Sequence, residues 1–290
     1  MKIKISPAHH KGYLNSIFED LKSLNHFSGG KYEIEVDPAL RLRYARTLIF
    51  QVGDKKILLD GNDEASPTLN LVTNGSIKDY ALALKLQYRP HEVWKDCPIP
   101  ITAWTYTERY NIFRQSGNKY NETPKLFKCG FVGRGISGKI YRRRQNVLRQ
   151  IIEFQSKNPS NVEFKSWHNK QRRVQQLTPT EYMNKTMTWQ TGLVPIGQGR
   201  VDNIDGKTWR EIEFASIGMP IIMERGRNYW VPLVENEHYI PLSATQPLEV
   251  AIEKAIEDKD IGNRLHNWYN KIASAEGVCK TFVEIIEKYM

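Results

Sequence analysis

Cysteine is scarce in this chain, with three residues among 290. Cys97, Cys129 and Cys279 lie far apart and form no Cys-x-x-Cys pair, which argues against both a disulfide framework and a cysteine-rich zinc site. The seven histidines also lack the spacing of metal ligands, and none stands beside an obvious Ser or Cys nucleophile. We therefore expect reduced cysteines in the core and no bound metal.

Long hydrophobic runs are missing as well. No stretch of about 18 apolar residues occurs, so the sequence predicts no transmembrane helix. The segment Met1–Ser6 lacks the apolar core of a secretory signal. We therefore expect a cytoplasmic protein whose contact with a membrane is peripheral at most.

Acidic residues are outnumbered by basic ones, which gives a formal net charge of +10 and a pI near 9.3. Such an excess favours an anionic partner, which could be nucleic acid, an acidic membrane or a sugar nucleotide. Charge alone does not choose among the three, so the choice depends on motifs.

The length of the chain is sufficient for two domains, each with its own core. Strand and helix patterns alternate along it, which predicts an α/β fold. The polar, turn-rich segment Ser116–Pro124 is the expected linker, so we predict domains at residues 1–123 and 124–290. Roughly the last forty residues have helical periodicity and form a predicted C-terminal helical tail.

The first domain contains a predicted hairpin that ends in carboxylates. Thr47–Val52 and Lys56–Asp60 read as strands joined by a short turn at Gly53–Lys55, and Asp79–Leu86 reads as a short helix. The second strand runs directly into Asp60-Gly61-Asn62-Asp63-Glu64. Because the carboxyl ends of strands face the ligand crevice in an open α/β sheet, Asp60 and Asp63 are candidate functional residues.

The second domain begins with a predicted strand, Leu126–Val132, followed by a glycine-containing loop and a helix over Lys139–Glu153. The loop spacing, Gly133-x-x-x-x-Gly138-Lys139, is nearly that of a P-loop. The next residue is Ile140, whereas a P-loop requires Ser or Thr there to bind Mg²⁺. A P-loop phosphotransferase is therefore an alternative that lacks its metal ligand.

The most informative stretch is Gly206–Met223, where a glycine-led helix carrying Arg and Glu runs into Gly-x-Pro and an apolar strand. Unpaired N–H groups and the positive end of a helix dipole attract phosphate oxygens, while a carboxylate accepts hydrogen bonds from ribose hydroxyls. This segment therefore predicts a nucleotide site.

The same segment carries a family resemblance. Lys207-Thr208-Trp209-Arg210 resembles the small-residue-plus-Arg motif of the exostosins, the protein O-glucosyltransferases and the capsule-associated xylosyltransferases, a group of GT-B glycosyltransferases. Glu213 stands five residues before Gly218, as the ribose-binding Glu does in the Glu-x-x-x-x-Gly-x-Pro signature of many GT-B enzymes. His238–Leu242 is similar to the segment that closes this domain in the glucosyl- and xylosyltransferases, so the resemblance covers about residues 126–290.

The resemblance implies two Rossmann-like domains facing a cleft, with the sugar nucleotide bound by the second and the acceptor by the first. It implies transfer of a sugar, xylose or glucose, from a UDP-sugar to a hydroxyl of a glycan or glycoprotein acceptor, without a metal or other cofactor. The donor-binding residues that it implies are Arg134, Arg142, Lys207, Thr208, Arg210 and Glu213.

The resemblance also bears on the general base that accepts the proton of the acceptor hydroxyl. In the capsule-associated group, the base is an aspartate in an Asn-x-x-Asp segment of the first domain. Asn62-Asp63 is similar but departs from that spacing, so Asp60 and Asp63 remain joint candidates beside the alternative that both only shape a turn.

Basic runs leave a nucleic-acid alternative open. Arg142–Arg144 and Lys170–Arg173, with Trp167 nearby, could contact phosphates and stack a base. Mg²⁺ held by Asp60, Asp63 and Glu64 would make the chain a nuclease. Because no helix-turn-helix or zinc pattern occurs, and charge runs are usually solvated faces, we expect no nucleic-acid partner.

Overall fold

The computed structural model describes residues 1–7, 13–40, 47–61, 76–86, 97–104, 111–117, 119–134, 142–167, 177–195, 209–224, 229–243 and 246–290. Its strands are β1 Lys2–Ile5, β2 Glu33–Val36, β3 Thr47–Val52, β4 Lys55–Asp60, β5 Leu82–Lys85, β6 Ile101–Ala103, β7 Phe127–Arg134, β8 Val162–Trp167, β9 Trp189–Val194, β10 Ile221–Met223 and β11 Ile240–Pro241. Its helices are α1 Tyr13–Leu21, α2 Leu24–Phe27, α3 Asn111–Ser116, α4 Lys119–Glu122, α5 Arg142–Lys157, α6 Pro179–Met187, α7 Trp209–Ser216, α8 Leu248–Glu257, α9 Ile261–Ile272 and α10 Ala275–Tyr289.

The chain forms two compact units, each built around its own sheet. The first unit comprises Met1–Arg109, Asn228–Pro232 and Asn270–Met290, and the second comprises Tyr110–Arg227 and Leu233–Tyr269. The segment expected to be a linker, Ser116–Pro124, contains the end of α3 and all of α4, and it belongs to the second unit. Within the described residues, no helix is both long and apolar enough to cross a membrane.

The first sheet has six strands in the order β2-β1-β3-β4-β5-β6. β3 runs antiparallel to β1 and β4, whereas β4, β5 and β6 are parallel, so the predicted β3–β4 hairpin is confirmed. The predicted helix over Asp79–Leu86 is wrong, because a 3-10 turn at Ser76–Asp79 leads into strand β5. All four residues of β5 are buried, so the segment lacks the polar alternation that marks a strand in sequence.

The C-terminal helix α10 completes the first unit, as the helical tail predicted from sequence. It packs against α1 and α2. Its buried Phe282 lies against Phe50 of β3 and Trp104, with ring centroids 4.7 and 5.5 Å away. These aromatic contacts tie the end of the chain to the first sheet.

The second sheet has five strands in the order β11-β10-β9-β7-β8, and all of them are parallel. Numbered within the unit, this order is 2-1-3-4-5, a doubly wound arrangement whose direction of winding reverses between β7 and β9. The predicted α/β class with two mostly parallel sheets is therefore confirmed. One side of this sheet packs on α5 and α8 through a buried apolar cluster that includes Phe131, Val147, Leu148, Ile151, Leu193, Ile222, Ile240, Leu248 and Ile252.

Candidate functional site

The switch point of the second sheet lies between β7 and β9, where open α/β sheets bind ligands at the carboxyl ends of their strands. Helix α7 carries Arg210 to this place in its first turn. The Arg210 Nη2 atom donates a 2.9 Å hydrogen bond to the carbonyl oxygen of Val132 in β7. Its guanidinium carbon also lies 4.8 Å from the ring centroid of Phe131. Arg210 is therefore a fixed positive charge at the carboxyl end of β7.

Gly133 makes room for this guanidinium. A Cβ atom at position 133 would lie 2.1 Å from Arg210 Nη2 and 2.8 Å from Phe131 Cζ, both closer than real Cβ contacts allow. Any larger residue would displace the arginine or the phenylalanine ring. Gly133 thus belongs, with Val132 and Phe131, to the residues that position the Arg210 guanidinium.

Helix α7 also carries two buried carboxylates, Glu211 and Glu213, which are 0% and 2% exposed. Glu213 interacts electrostatically with the phenol of Tyr182 from helix α6, and Arg210 lies within reach of the same phenol. Burial and the negative charge of Glu213 raise the pKa of Tyr182 well above its usual value, while Arg210 opposes this shift. The Tyr182 hydroxyl therefore stays protonated.

The position of Tyr182 is set by the packing of three helices. Helix α6 starts at a capping box in which Thr178 and Glu181 satisfy each other's backbone N–H groups. The Tyr182 ring lies 5.4 Å, centroid to centroid, from the buried ring of Phe113 in α3. Because α3 packs on both α6 and α7, Tyr182 is directed towards the polar side chains of α7.

The spacing between Glu213 and Gly218 has a local explanation. Gly218, two residues after the last residue of α7, adopts a positive φ of 70°. The N–H of Met219 donates to Phe214 O and that of Gly218 donates to Ala215 O, which is the Schellman pattern of a helix C-terminus. The Glu-x-x-x-x-Gly-x-Pro signature thus fixes where α7 stops and β10 begins.

The carboxyl end of β4, in the first unit, holds Asp60. Its Oδ2 atom lies 2.8 Å from Nζ of Lys85 at the end of β5, and both side chains are 1% exposed. Strands β4 and β5 pair in parallel with Asp60 opposite Lys85, so the register of the sheet brings the two charges together. The structure therefore places this candidate base in a buried ion pair.

The remaining predicted site residues are placed only in part. Asp63, Lys207 and Thr208 lie outside the described residues. Arg134 is the last residue of β7 and Arg142 the first of α5, but their side chains are not described. Among the described residues, no cluster of three or more His, Cys, Asp or Glu side chains is arranged to hold a metal ion.

Three residues of these two sites have no signal in the sequence that points to their place. Gly133 is predicted in a loop but stands within β7. Lys85 is predicted in a helix, and only the parallel register of β4 and β5 pairs it with Asp60. Tyr182 has no local signal, because its relation to Glu213 depends on how α3, α6 and α7 pack.

No protein-family model and no curated protein sequence matches this chain. Among solved structures, it is similar to the pneumococcal O-GlcNAc transferase GtfA in complex with UDP and GlcNAc, with 9% identity and a TM-score of 0.42, over 76% of this chain and 47% of that one. The GtfA/B complex is similar at 8% identity and a TM-score of 0.41, over 76% and 47%. AviGT4, a glycosyltransferase involved in avilamycin A biosynthesis, is similar at 10% identity and a TM-score of 0.43, over 98% and 91%. The chain thus spans about half the length of GtfA.

Proposed function

We propose that this chain is a glycosyltransferase that transfers a sugar from a UDP-sugar to a hydroxyl group of a glycan or glycoprotein. The observation that carries the proposal is that the Arg210 guanidinium is held at the switch point of the second sheet, one helical turn before the buried Glu213. A fixed cation suits the negatively charged phosphates of a nucleoside diphosphate, and a carboxylate suits the hydroxyl groups of its ribose. The resemblance of Lys207–Arg210 to the exostosin, O-glucosyltransferase and xylosyltransferase group favours UDP, with xylose or glucose as the sugar.

In the proposed reaction, the acceptor oxygen forms a bond to the anomeric carbon of the sugar while the bond from that carbon to the diphosphate breaks. The electron pair of the broken bond leaves with UDP, so negative charge builds up on the diphosphate. Arg210 stabilises that charge, because a guanidinium can donate two parallel hydrogen bonds to phosphate oxygens. Lys207, Thr208, Arg134 and Arg142 are proposed to complete the phosphate site, and no metal is required.

The acceptor is proposed to bind to the first unit, where Asp60 or Asp63 takes the proton from its hydroxyl. For Asp60, this role requires that the carboxylate exchange Lys85 for the acceptor, because Oδ2 is held by the lysine in a buried ion pair. Asp63 follows three residues later in the chain, outside the described residues.

The first test is protection against thermal unfolding by a panel of UDP, GDP, CMP, ATP and short oligonucleotides, each with and without Mg²⁺. A ligand that binds only the folded state raises its stability by mass action, so UDP at about 100 times its Kd adds about 2.7 kcal/mol. The proposal expects protection by UDP that persists in EDTA. Protection only by ATP with Mg²⁺ would instead favour a phosphotransferase, and protection only by oligonucleotides would favour nucleic-acid binding.

The second test is Arg210→Ala, which should weaken UDP binding by roughly 10- to 100-fold. Charge-assisted hydrogen bonds are worth about 1.5–3 kcal/mol, which corresponds to that range of Kd. Arg264→Ala is the matched control, because this arginine of the same unit pairs with Asp258 and with the carbonyl of Glu237 instead. Titration calorimetry on both variants decides: a folded Arg210→Ala protein with wild-type UDP affinity refutes the assignment.

A further inference from the structure

Phe164, on the edge strand β8, packs on the aromatic ring that contacts Arg210. The parallel register of β7 and β8 sets Phe164 directly opposite Phe131. The two rings are stacked, with centroids 5.8 Å apart and an angle of 20° between their planes. Phe131 is 1% exposed, and Phe164 is partly buried against the same apolar cluster. The rings thus form a cross-strand aromatic pair beside the guanidinium, although Phe164 itself has no part in the proposed chemistry.

The orientation of the Arg210 guanidinium depends on this pair. The hydrogen bond from Nη2 to the carbonyl oxygen of Val132 fixes one nitrogen, but a planar group can still turn about such a bond. The ring of Phe131, 4.8 Å from the guanidinium carbon, limits that turning. The Nε atom has less than 1 Å² of accessible surface, so a ligand reaches the group at its terminal nitrogens. The plane of the guanidinium therefore decides which N–H groups point towards a phosphate.

The plane of the Phe131 ring depends in turn on what packs against it. The torsion that turns a phenylalanine ring has broad energy wells, so the neighbours of the ring fix its plane more than the side chain itself does. Stacking on Phe164 supplies this restraint from the adjacent strand. An aromatic pair is also worth more than the area that it buries, so an aliphatic side chain at position 164 would not replace it.

We propose that Phe164 is a positioning residue that acts through Phe131 to keep the Arg210 guanidinium oriented for the diphosphate of the donor. This inference rests on the proposed function, because it takes the diphosphate as the ligand of Arg210. Phe164 acts on the ligand without touching it. If it only filled the core, its replacement would affect stability but not the contribution of Arg210 to binding.

The test compares Phe164→Leu, which removes the ring but keeps an apolar side chain, with Phe164→Tyr, which keeps the ring. Phe164→Leu should weaken UDP binding by about 2- to 10-fold, the usual worth of an aromatic pair, and Phe164→Tyr should bind UDP like the wild type. In the Arg210→Ala background, Phe164→Leu should cost no further UDP affinity, since the residue through which it acts is already gone. Titration calorimetry on the whole chain measures each affinity.

Phe154→Leu is the matched control, because it makes the same change in the same apolar cluster. Phe154 lies in the last turn of α5, where the neighbouring Gln155 donates to the carbonyl oxygen of Val162 at the amino end of β8. Its replacement should lower thermal stability and leave UDP affinity unchanged. A general effect of removing a ring from this core is thereby separated from an effect on Arg210.

Three results would overturn the inference and leave the glycosyltransferase proposal standing. They are wild-type UDP affinity in Phe164→Leu, an equal loss in Phe164→Leu and Phe164→Tyr, and an equal loss with and without Arg210. If Arg210→Ala keeps wild-type UDP affinity, the role of Arg210 fails and the inference fails with it. If the wild-type protein does not bind UDP, both the proposed function and the inference are refuted.

A second variant serves if Phe164→Leu does not fold. Phe164→Ile also removes the ring, and its branched side chain suits a β-strand. The same loss of UDP affinity is expected, again only while Arg210 is present. Wild-type UDP affinity in folded Phe164→Ile would overturn the inference.

Discussion

The carboxyl ends of the two sheets carry charge in opposite ways. In the first sheet, Asp60 and Lys85 stand on neighbouring parallel strands and neutralise each other at 2.8 Å, both buried. In the second sheet, the guanidinium of Arg210 is held by a backbone carbonyl and an aromatic ring, neither of which carries a formal charge, and the buried carboxylate of Glu213 acts on the same Tyr182 phenol as Arg210. A neutralised pair fixes the structure around it, whereas a positioned cation leaves a field that an anionic ligand can use.

This difference separates the parts of the candidate site by their physical role. The charge of Arg210 is permanent, since a guanidinium does not lose its proton in proteins. Its side chain is already ordered by Val132 and Phe131, so little conformational entropy is lost when a phosphate binds. The Asp60–Lys85 pair has the opposite property, because any reaction that uses its carboxylate must first break a buried interaction.

The largest expected effect is loss of stability when this pair is broken. Lys85→Met should lower the free energy of unfolding by about 3–5 kcal/mol, because the buried Asp60 carboxylate loses its ion pair with the lysine. The double variant Asp60→Leu with Lys85→Met should recover much of that loss. Urea denaturation of the two variants measures the effect, and a Lys85→Met protein as stable as wild type would contradict a structural role for the pair.

Substitutions of the two aspartates test which of them is the general base. Asp63→Asn should leave UDP binding nearly unchanged and lower turnover by about 10² to 10⁴ if Asp63 is the base, without loss of stability. Asp60→Asn should lower both stability and turnover if Asp60 is the base. Transfer rates with a known acceptor, measured beside the melting temperature, distinguish them. Full activity in both variants would show that the base lies elsewhere.

An intermediate effect is expected from Gly133→Ala, which displaces the Arg210 guanidinium without removing any charge. The added Cβ would stand 2.1 Å from Arg210 Nη2, so the guanidinium must move and lose its bond to Val132 O. UDP affinity should fall by roughly 3- to 10-fold, matching about 0.5–1.5 kcal/mol for one hydrogen bond. Calorimetry in the Arg210→Ala background provides the control, because there the alanine should cause no further loss.

Much of the second unit could be predicted from sequence because its signals are local. The helix around Arg210 and Glu213, its stop at Gly218 and the strand after it follow from capping chemistry and periodicity over a few residues. The predicted class of fold and the hairpin before Asp60 rest on similar local patterns.

The partners of the site residues could not be predicted, because they are set by long-range packing. Lys85 faces Asp60 only through strand register, and the sequence predicts a helix over β5 because a strand buried on both faces shows no alternation. The contact of Tyr182 with Glu213 depends on the arrangement of three helices. Sequence thus predicts Arg210 and Glu213 as site residues, whereas the contacts of Arg210 with Val132 and Phe131 come from the structure.

The smallest expected effect tests whether the place of a cation matters, or only its surroundings. Lys125, in the same unit as Arg210, also lies on an aromatic ring, with Nζ 3.4 Å from the centroid of Tyr120. It also donates to backbone carbonyls, those of Tyr120 and Met187, but it precedes β7 at the amino end of the strand. If position at the carboxyl end is decisive, Lys125→Met should leave UDP affinity unchanged, and a loss like that of Arg210→Ala would break the comparison.

The pH dependence of stability tests the buried environment of Lys125 directly. Burial lowers the pKa of Lys125 from 10.5 to about 8, so between these values the unfolded chain binds a proton that the folded chain does not. The stability that this group contributes is therefore fully present above pH 10.5 and is lost as the pH falls to about 8. The wild-type melting temperature should rise relative to that of Lys125→Met between pH 8 and pH 10, and a constant difference would refute the lowered pKa.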